Sequence, residues 1–265
     1  MALGLLRPLW AYRGFIVGSV MREFQSKYRN SLLGAAWAVI NPLAMILVYT
    51  MIFSELMQTK LPGVGSKFAY SIYLCAGLLT WGVFTEIVGR GQNIFLDNAN
   101  LLKKICFPRL CLPVIAVLNA CVNFAIIFGL FLVFLLLKGL WPGWVCIAFV
   151  PILMIQLLLA VGLGIVLGVL NVFFRDVGQF FGIFLQFWFW FTPIVYPISI
   201  LPEVIKPLVI LNPIYPLVTS YQGIFVNNHW PDWVSLVYPL LLSLVLCTAG
   251  LRLFRLHAGE MVDEL

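Results

Sequence analysis

Charge is what this sequence has least of. Only 10% of its 265 residues are Asp, Glu, Lys or Arg, whereas 63% are hydrophobic and the mean hydropathy is +1.04. A soluble domain carries about 25% charged residues, and a chain of this size folded in water must still present a polar exterior. A water-soluble fold is excluded, and the bilayer is the expected solvent. The sequence also contains no Gly-Lys dipeptide, and therefore no G-x-x-x-x-G-K-[ST] loop to cradle nucleotide phosphates. Gly63-Val64-Gly65-Ser66-Lys67 is glycine-rich but wrongly spaced.

Catalytic equipment is equally sparse. Outside the tail, Glu23, Glu55, Glu86, Asp97, Asp176, Glu203 and Asp232 stand singly, without the clustered acids that metal binding or general acid–base chemistry requires. The six cysteines form no C-x-x-C pair and read as small buried hydrophobes. His229 and His257 fall on opposite sides of the membrane in the topology below, so they cannot share a metal. No cofactor, metal or enzymatic activity is expected in this chain. The net charge of +6 does not point to nucleic acid, because the basic residues cluster at the ends of apolar runs. No cleavable signal peptide is expected, since Arg7, Pro8 and Arg13 interrupt the first apolar stretch.

What the sequence does have is long apolar runs. A spanning helix needs about 20 mainly apolar residues, and six such runs occur, at about 32–53, 69–89, 111–137, 145–171, 178–198 and 233–254. In lipid every backbone polar group must be paired internally, so each run is expected to be a helix. The fold class is all-α: a polytopic membrane protein of six transmembrane helices in one domain over 1–265. Residues 1–31 form an N-terminal segment, 32–254 the spans and 255–265 a tail. Of the sixteen Lys and Arg, twelve fall on one side: Arg7, Arg13, Arg22, Lys27, Arg29, Arg90, Lys103, Lys104, Arg109, Arg175, Arg252 and Arg255. Lys60, Lys67, Lys138 and Lys206 fall on the other, which makes both termini cytoplasmic.

Several segments carry more specific signals. From Ile16 to Tyr28, apolar Ile16, Val17, Val20, Met21, Phe24 and Tyr28 recur at helical spacing, opposite Ser19, Arg22, Glu23, Gln25 and Ser26. This pattern predicts an amphipathic helix lying in the membrane interface, or one packed on another protein. In the connection at about 90–110, Asp97 and Asn98 can cap a short helix bearing Leu101, Leu102 and Ile105, unless the segment is an ordinary basic loop. Six of the fifteen prolines lie between 193 and 216 in a stretch that stays apolar. That combination predicts re-entrant or interfacial half-helices before the last span, with a loose external loop as the alternative.

Within the spans, Glu86 and Arg90 stand one helical turn apart, as a structural ion pair or, alternatively, a proton site. Ala160, Gly164 and Gly168 form a small-residue ridge for close helix packing, within the subunit or across a dimer. Eight of the twelve residues from Phe180 to Phe191 are aromatic. Aromatic faces stack on sugar rings, which makes Phe180, Phe184, Phe187, Trp188, Trp190, Phe191, Tyr196, Tyr215 and Tyr221 candidates for lining a channel. An interfacial aromatic belt is the other reading.

Lys27-Tyr28-Arg29-Asn30-Ser31-Leu32-Leu33-Gly34, then Trp37 and Asn41-Pro42, resembles the opening of permease subunits of polysaccharide-exporting ABC transporters, which move O-antigen, capsule or teichoic-acid chains. Phe173-Phe174-Arg175-Asp176 and Asn212-Pro213 with Pro216 match the same family. The resemblance implies a homodimer in the inner (cytoplasmic) membrane joined to two copies of a separate ATPase, which would hold the ATP and Mg. It implies a channel for a lipid-linked polysaccharide, gated by the outer half-helices. Arg22, Lys27, Asp97, Asn98, Leu101, Lys103, Lys104, Arg175 and Asp176 would then couple to the ATPase. An ABC permease for a drug or lipid, a membrane enzyme of envelope glycan synthesis and an ion-coupled flippase are the rival readings.

Overall fold

The computed structural model describes residues 10–28, 34–52, 68–104 and 111–264. Regular structure among them is helical, with no strand. The helices, in order, are α1 (Arg13–Tyr28), α2 (Trp37–Thr50), α3 (Ala69–Asp97), α4 (Ala99–Lys104), α5 (Cys111–Leu137) and α6 (Phe149–Phe173). There follow α7 (Asp176–Phe191), α8 (Lys206–Ile210), α9 (Tyr215–Asn227), α10 (Trp233–His257) and α11 (Glu260–Glu264). Four of these, α3, α5, α6 with its preceding 3₁₀ turn, and α10, are long and apolar enough to cross a membrane. Helix α2 is a shorter apolar helix. The expected first span begins and ends outside the described residues, as do Arg29, Lys60, Lys67, Ile105 and Arg109, and the side chains of Lys27 and Lys104.

Burial sorts the long helices. Helix α3 is the least apolar and the most enclosed, packed by α5, α6 and α9. Surrounded by protein rather than lipid, it tolerates Ser71, Thr80 and Gln92 in its buried face. Helices α5 and α10 are more apolar and keep large side chains such as Val133, Leu136, Leu241 and Val245 exposed, as lipid-facing helices do. Helix α6 lies between α3 and α10.

Small residues set the spacing of those three helices. A Cβ on Gly168 would sit 2.5 Å from the Gly91 carbonyl oxygen of α3, and one on Gly91 only 2.7 Å from Gly164 Cα. A Cβ on Gly162 would lie 2.7 Å from the Cys247 nitrogen of α10. The ridge of Ala160, Gly164 and Gly168 is thus used inside the subunit. Ala160 is wholly buried in the core, and Gly91 supplies the opposing surface.

One boundary departs widely from expectation. Residues 90–97 were expected in a polar connection, yet α3 continues through them as helix for 29 residues, about 43 Å. Arg90, Gln92, Asn93 and Asp97 end the apolar run but do not break a helix. The chain turns only at Asn98, whose carbonyl accepts from Leu101 and Leu102 N–H (both 3.0 Å) to start α4. The Asn98 side chain looks backward, donating to the Ile94 carbonyl (2.8 Å), so it does not cap α4 in the way expected.

Candidate functional site

Two regions collect the sequence-predicted residues, one around α7 and α9 and one at the end of the bundle where α1, α4 and α11 gather. Helix α7 has no fully buried residue. Its aromatics nevertheless divide into two faces. Phe181, Trp188 and Phe189 turn toward α3, where the Trp188 ring meets Trp81 and Phe84 edge-on at 6.1 and 5.4 Å. Phe180, Phe184, Phe187, Trp190 and Phe191 point away and are 41–69% exposed. That outer face is largely aromatic, with Ile183 and the amides of Gln179 and Gln186 exposed among the rings.

Beyond α7 the chain is pinned by buried polar groups. Asn212 accepts from the Trp188 indole N–H (2.9 Å) and from Ile214 N–H (3.0 Å), and donates to the Thr192 hydroxyl (2.8 Å). Trp188 packs at the middle of α3, so Asn212 reaches the same level of the bundle. Tyr73 donates to the carbonyls of Pro193 (3.1 Å) and Tyr196 (3.0 Å), laying 193–196 along the start of α3. Helix α9 then begins with Pro216 near its N-terminus, where no amide partner is lost. It runs against α3 to Asn228, whose left-handed conformation (φ 55°) closes it.

Two of the channel candidates are engaged within the subunit. Tyr221 is 2% exposed. Its hydroxyl donates to Gln156 Oε1 (2.9 Å), whose amide donates to the Thr80 carbonyl (2.5 Å), so Tyr221 ties α9, α6 and α3 together inside the core. The polar handle of Trp188 is taken by Asn212. Tyr196, half-buried, donates to the Trp190 carbonyl (2.5 Å), and Tyr215 is also half-buried. Thr192 and Gln156 were not singled out from sequence, and Asn212 entered only through the Asn212-Pro213 motif, not as a buried partner. An amide inside an apolar run was the available signal, because such a group needs a partner.

At the opposite end, α1 packs on α5 through Ile16, which is buried against Cys111 and Ile115. Val17 and Met21 remain exposed. Glu23, placed on the polar face of α1 by its spacing, pairs with Arg90 and accepts from Asn119. Arg90 also donates to Glu86 Oε1 through Nε (3.2 Å) and Nη2 (3.1 Å), the expected pair, and Asn123 donates to Glu86 Oε2 (2.8 Å). Arg22, Asp97, Lys103, Arg175 and Asp176 are exposed at this end, and Asn98 is half-buried. Leu101 and Leu102 rest on a cluster that includes Phe95, Val172, Phe254 and Met261, so α11 braces α4 from behind. Asn171 holds the α6–α7 turn, donating to the Gln92 carbonyl (2.9 Å) and accepting from Gly178 N–H (2.9 Å).

Two hollows flank the Glu23–Arg90–Glu86 group. A groove of about 320 Å³ is bounded by Phe15, Glu23, Arg90, Asp97 and Leu101. A mainly apolar cavity of about 380 Å³ lies between α2, α3 and α5, with Asn41, Tyr49, Glu86 and Asn123 among its polar lining. Among the described residues no three His, Cys, Asp or Glu side chains gather as metal ligands.

Comparison with known proteins gives this arrangement a context. A family model described as "ABC-2 type transporter" matches residues 16–226. The chain is similar to the O-antigen export system permease protein RfbA of Myxococcus xanthus, with 34% identity over 263 residues, 98% of this chain and 99% of the relative. An O-antigen export system permease protein RfbA of Klebsiella pneumoniae is 28% identical over 235 residues, 88% of each chain. The polysialic acid transport protein KpsM of Escherichia coli is 21% identical over 245 residues, 92% of this chain and 93% of the relative.

Proposed function

The chain belongs to the ABC-2 type transporter family, and from that premise we propose that it is the permease subunit of an ATP-driven exporter of a lipid-linked, O-antigen-like polysaccharide. The observation that carries this reading is the 34% identity to an O-antigen export permease over nearly the whole length of both chains. The aromatic face of α7 supports it chemically. Sugars crossing about 30 Å of hydrocarbon lose hydrogen bonds to water and need a lined conduit. Phe180, Phe184, Phe187, Trp190 and Phe191 offer ring faces for stacking, in a surface that a single subunit leaves open. A homodimer in the inner membrane, closing that surface into a channel, completes the arrangement.

Helices α2 and α7 are proposed as the first and fifth of six spans, with both termini cytoplasmic. Helix α7 is 16 residues, about 24 Å, and the pinned segment 192–196 extends its path along α3. The stretch from Lys206 to Asn227 is proposed as a re-entrant pair on the outer side, a reading supported by Asn212 meeting Trp188 at the level of the α3 midpoint. Two copies of a separate ATPase, which holds the ATP and Mg, would dock where Arg22, Lys27, Asp97, Asn98, Leu101, Lys103, Lys104, Arg175 and Asp176 lie. Deletion of the gene followed by fractionation of surface glycan tests the reading. Full-length glycan retained inside the cell is expected. Unchanged surface glycan would remove the polysaccharide and leave a permease for a drug or lipid.

A further inference from the structure

We propose that Arg90 is the positioning residue through which α1 is coupled to the membrane core, by being shared between the carboxylates of Glu23 and Glu86. The inference rests on the reading of the chain as an ATPase-driven permease. Arg90 Nη1 donates to Glu23 Oε1 on α1, while Nε and Nη2 donate to Glu86 Oε1 on its own helix at 3.2 and 3.1 Å. The second oxygen of each carboxylate is held by α5. Asn119 donates to Glu23 Oε2, and Asn123, one turn further, donates to Glu86 Oε2 at 2.8 Å. The guanidinium thereby joins α1 to α3, and the two amides of α5 tie both carboxylates to the same cluster.

The charges make the join consequential. Two carboxylates share one cation, so losing Arg90 leaves Glu86 (22% exposed) with a charge relieved mainly by the Asn123 amide, and Glu23 (44% exposed) with one relieved by Asn119 and water. Leaving a partly buried charge without its partner is costly. Glu23 and Arg90 bound the groove that Asp97 and Leu101 line on one side, whereas Glu86 and Asn123 bound the cavity between α2, α3 and α5 on the other. The network is the partition between the two hollows. Displacing α1 breaks the Glu23 contacts to Arg90 and Asn119 together and leaves the guanidinium to Glu86 alone. That gives two discrete arrangements, which a force applied at α1 can select. Lysine cannot replace arginine here, because a single ammonium lacks the forked geometry that serves both acids.

The test is a double-mutant cycle on the assembled permease–ATPase complex in membrane vesicles, reading glycan exported per ATP hydrolysed. Arg90→Ala is expected to lower that ratio by roughly 5- to 150-fold, the range of a site-to-site coupling, with the amount of complex recovered unchanged. Glu23→Gln is expected to lower it less, and the double variant no further than Arg90→Ala alone. Multiplying losses would overturn the proposal, as would export and ATP hydrolysis falling together at a constant ratio. If Arg90→Ala fails to assemble, the same cycle on Glu23→Gln and Asn119→Ala decides by the same criteria. Wild-type complex without ATP-dependent export would instead refute the function on which the inference stands.

Discussion

At the scale of single residues, the polar groups buried in this apolar chain carry the most information, because each must find a partner. Asn212→Ala orphans the Trp188 indole N–H and the Ile214 N–H, whereas the Thr192 hydroxyl keeps its bond to the Trp188 carbonyl (2.8 Å). A loss of roughly 1–3 kcal/mol per orphaned group is expected, read as a lower unfolding midpoint in detergent. Tyr238→Phe, which removes one exposed bond to the Leu211 carbonyl, should leave the midpoint almost unchanged. The aromatics of α7 separate by face. Phe187→Ala and Trp190→Ala should alter stability by less than about 0.5 kcal/mol while reducing export roughly 2- to 12-fold, the worth of one aromatic contact. Trp188→Ala should instead destabilise the fold by about 3 kcal/mol, since its ring packs on Trp81 and Phe84. Equal effects at Trp188 and Trp190 would erase the distinction between the two faces. The sequence makes the aromatic content plain but shows this division only faintly, because Gln179 and Gln186, seven residues apart and both exposed, are the main polar marks of the outer face. The Glu86–Arg90 pair is legible from its one-turn spacing. The Glu23–Arg90 contact is not, because it joins positions 67 residues apart.

At the scale of elements, glycine sets the contact between α3 and α6. Gly168→Ala brings a Cβ against the Gly91 carbonyl and forces the two helices apart. A cost of about 1–3 kcal/mol is expected, seen as less folded protein in the membrane. Gly129→Ala in α5, with no atom within 4 Å of the added carbon, should gain up to about 1 kcal/mol from helix propensity. A tolerated Gly168→Ala would contradict the close approach. The small-residue ridge is visible in the sequence, whereas its partner Gly91 stands in a stretch where hydropathy falls and no repeat announces it. The same fall conceals the overrun of α3. Arg90, Gln92, Asn93 and Asp97 end the lipid-like run, but contacts with α6 and α10 carry the helix onward despite Gly89 and Gly91. Hydropathy reports solvent, not secondary structure, so the four long helices are read well and their polar extensions poorly.

At the scale of the whole molecule, the chain is a multi-pass helical membrane protein whose surface is apolar at α2, α5, α7 and α10. The proposed orientation predicts that single cysteines placed at Lys138 and Lys206 react with an impermeant thiol reagent from outside the cell. One placed at Arg175 should react only after the membrane is opened, and the reverse pattern would invert the topology. The central claim is that this chain, with its ATPase, moves a lipid-linked polysaccharide across the membrane. The most direct measurement reconstitutes the two proteins in vesicles and follows a labelled lipid-linked glycan by its exposure to a glycosidase confined to the receiving side. The account predicts that the glycan becomes cleavable only with hydrolysable ATP, and more slowly with Phe187→Ala or Trp190→Ala. ATP hydrolysis without any glycan crossing, in vesicles shown to be sealed, would contradict it.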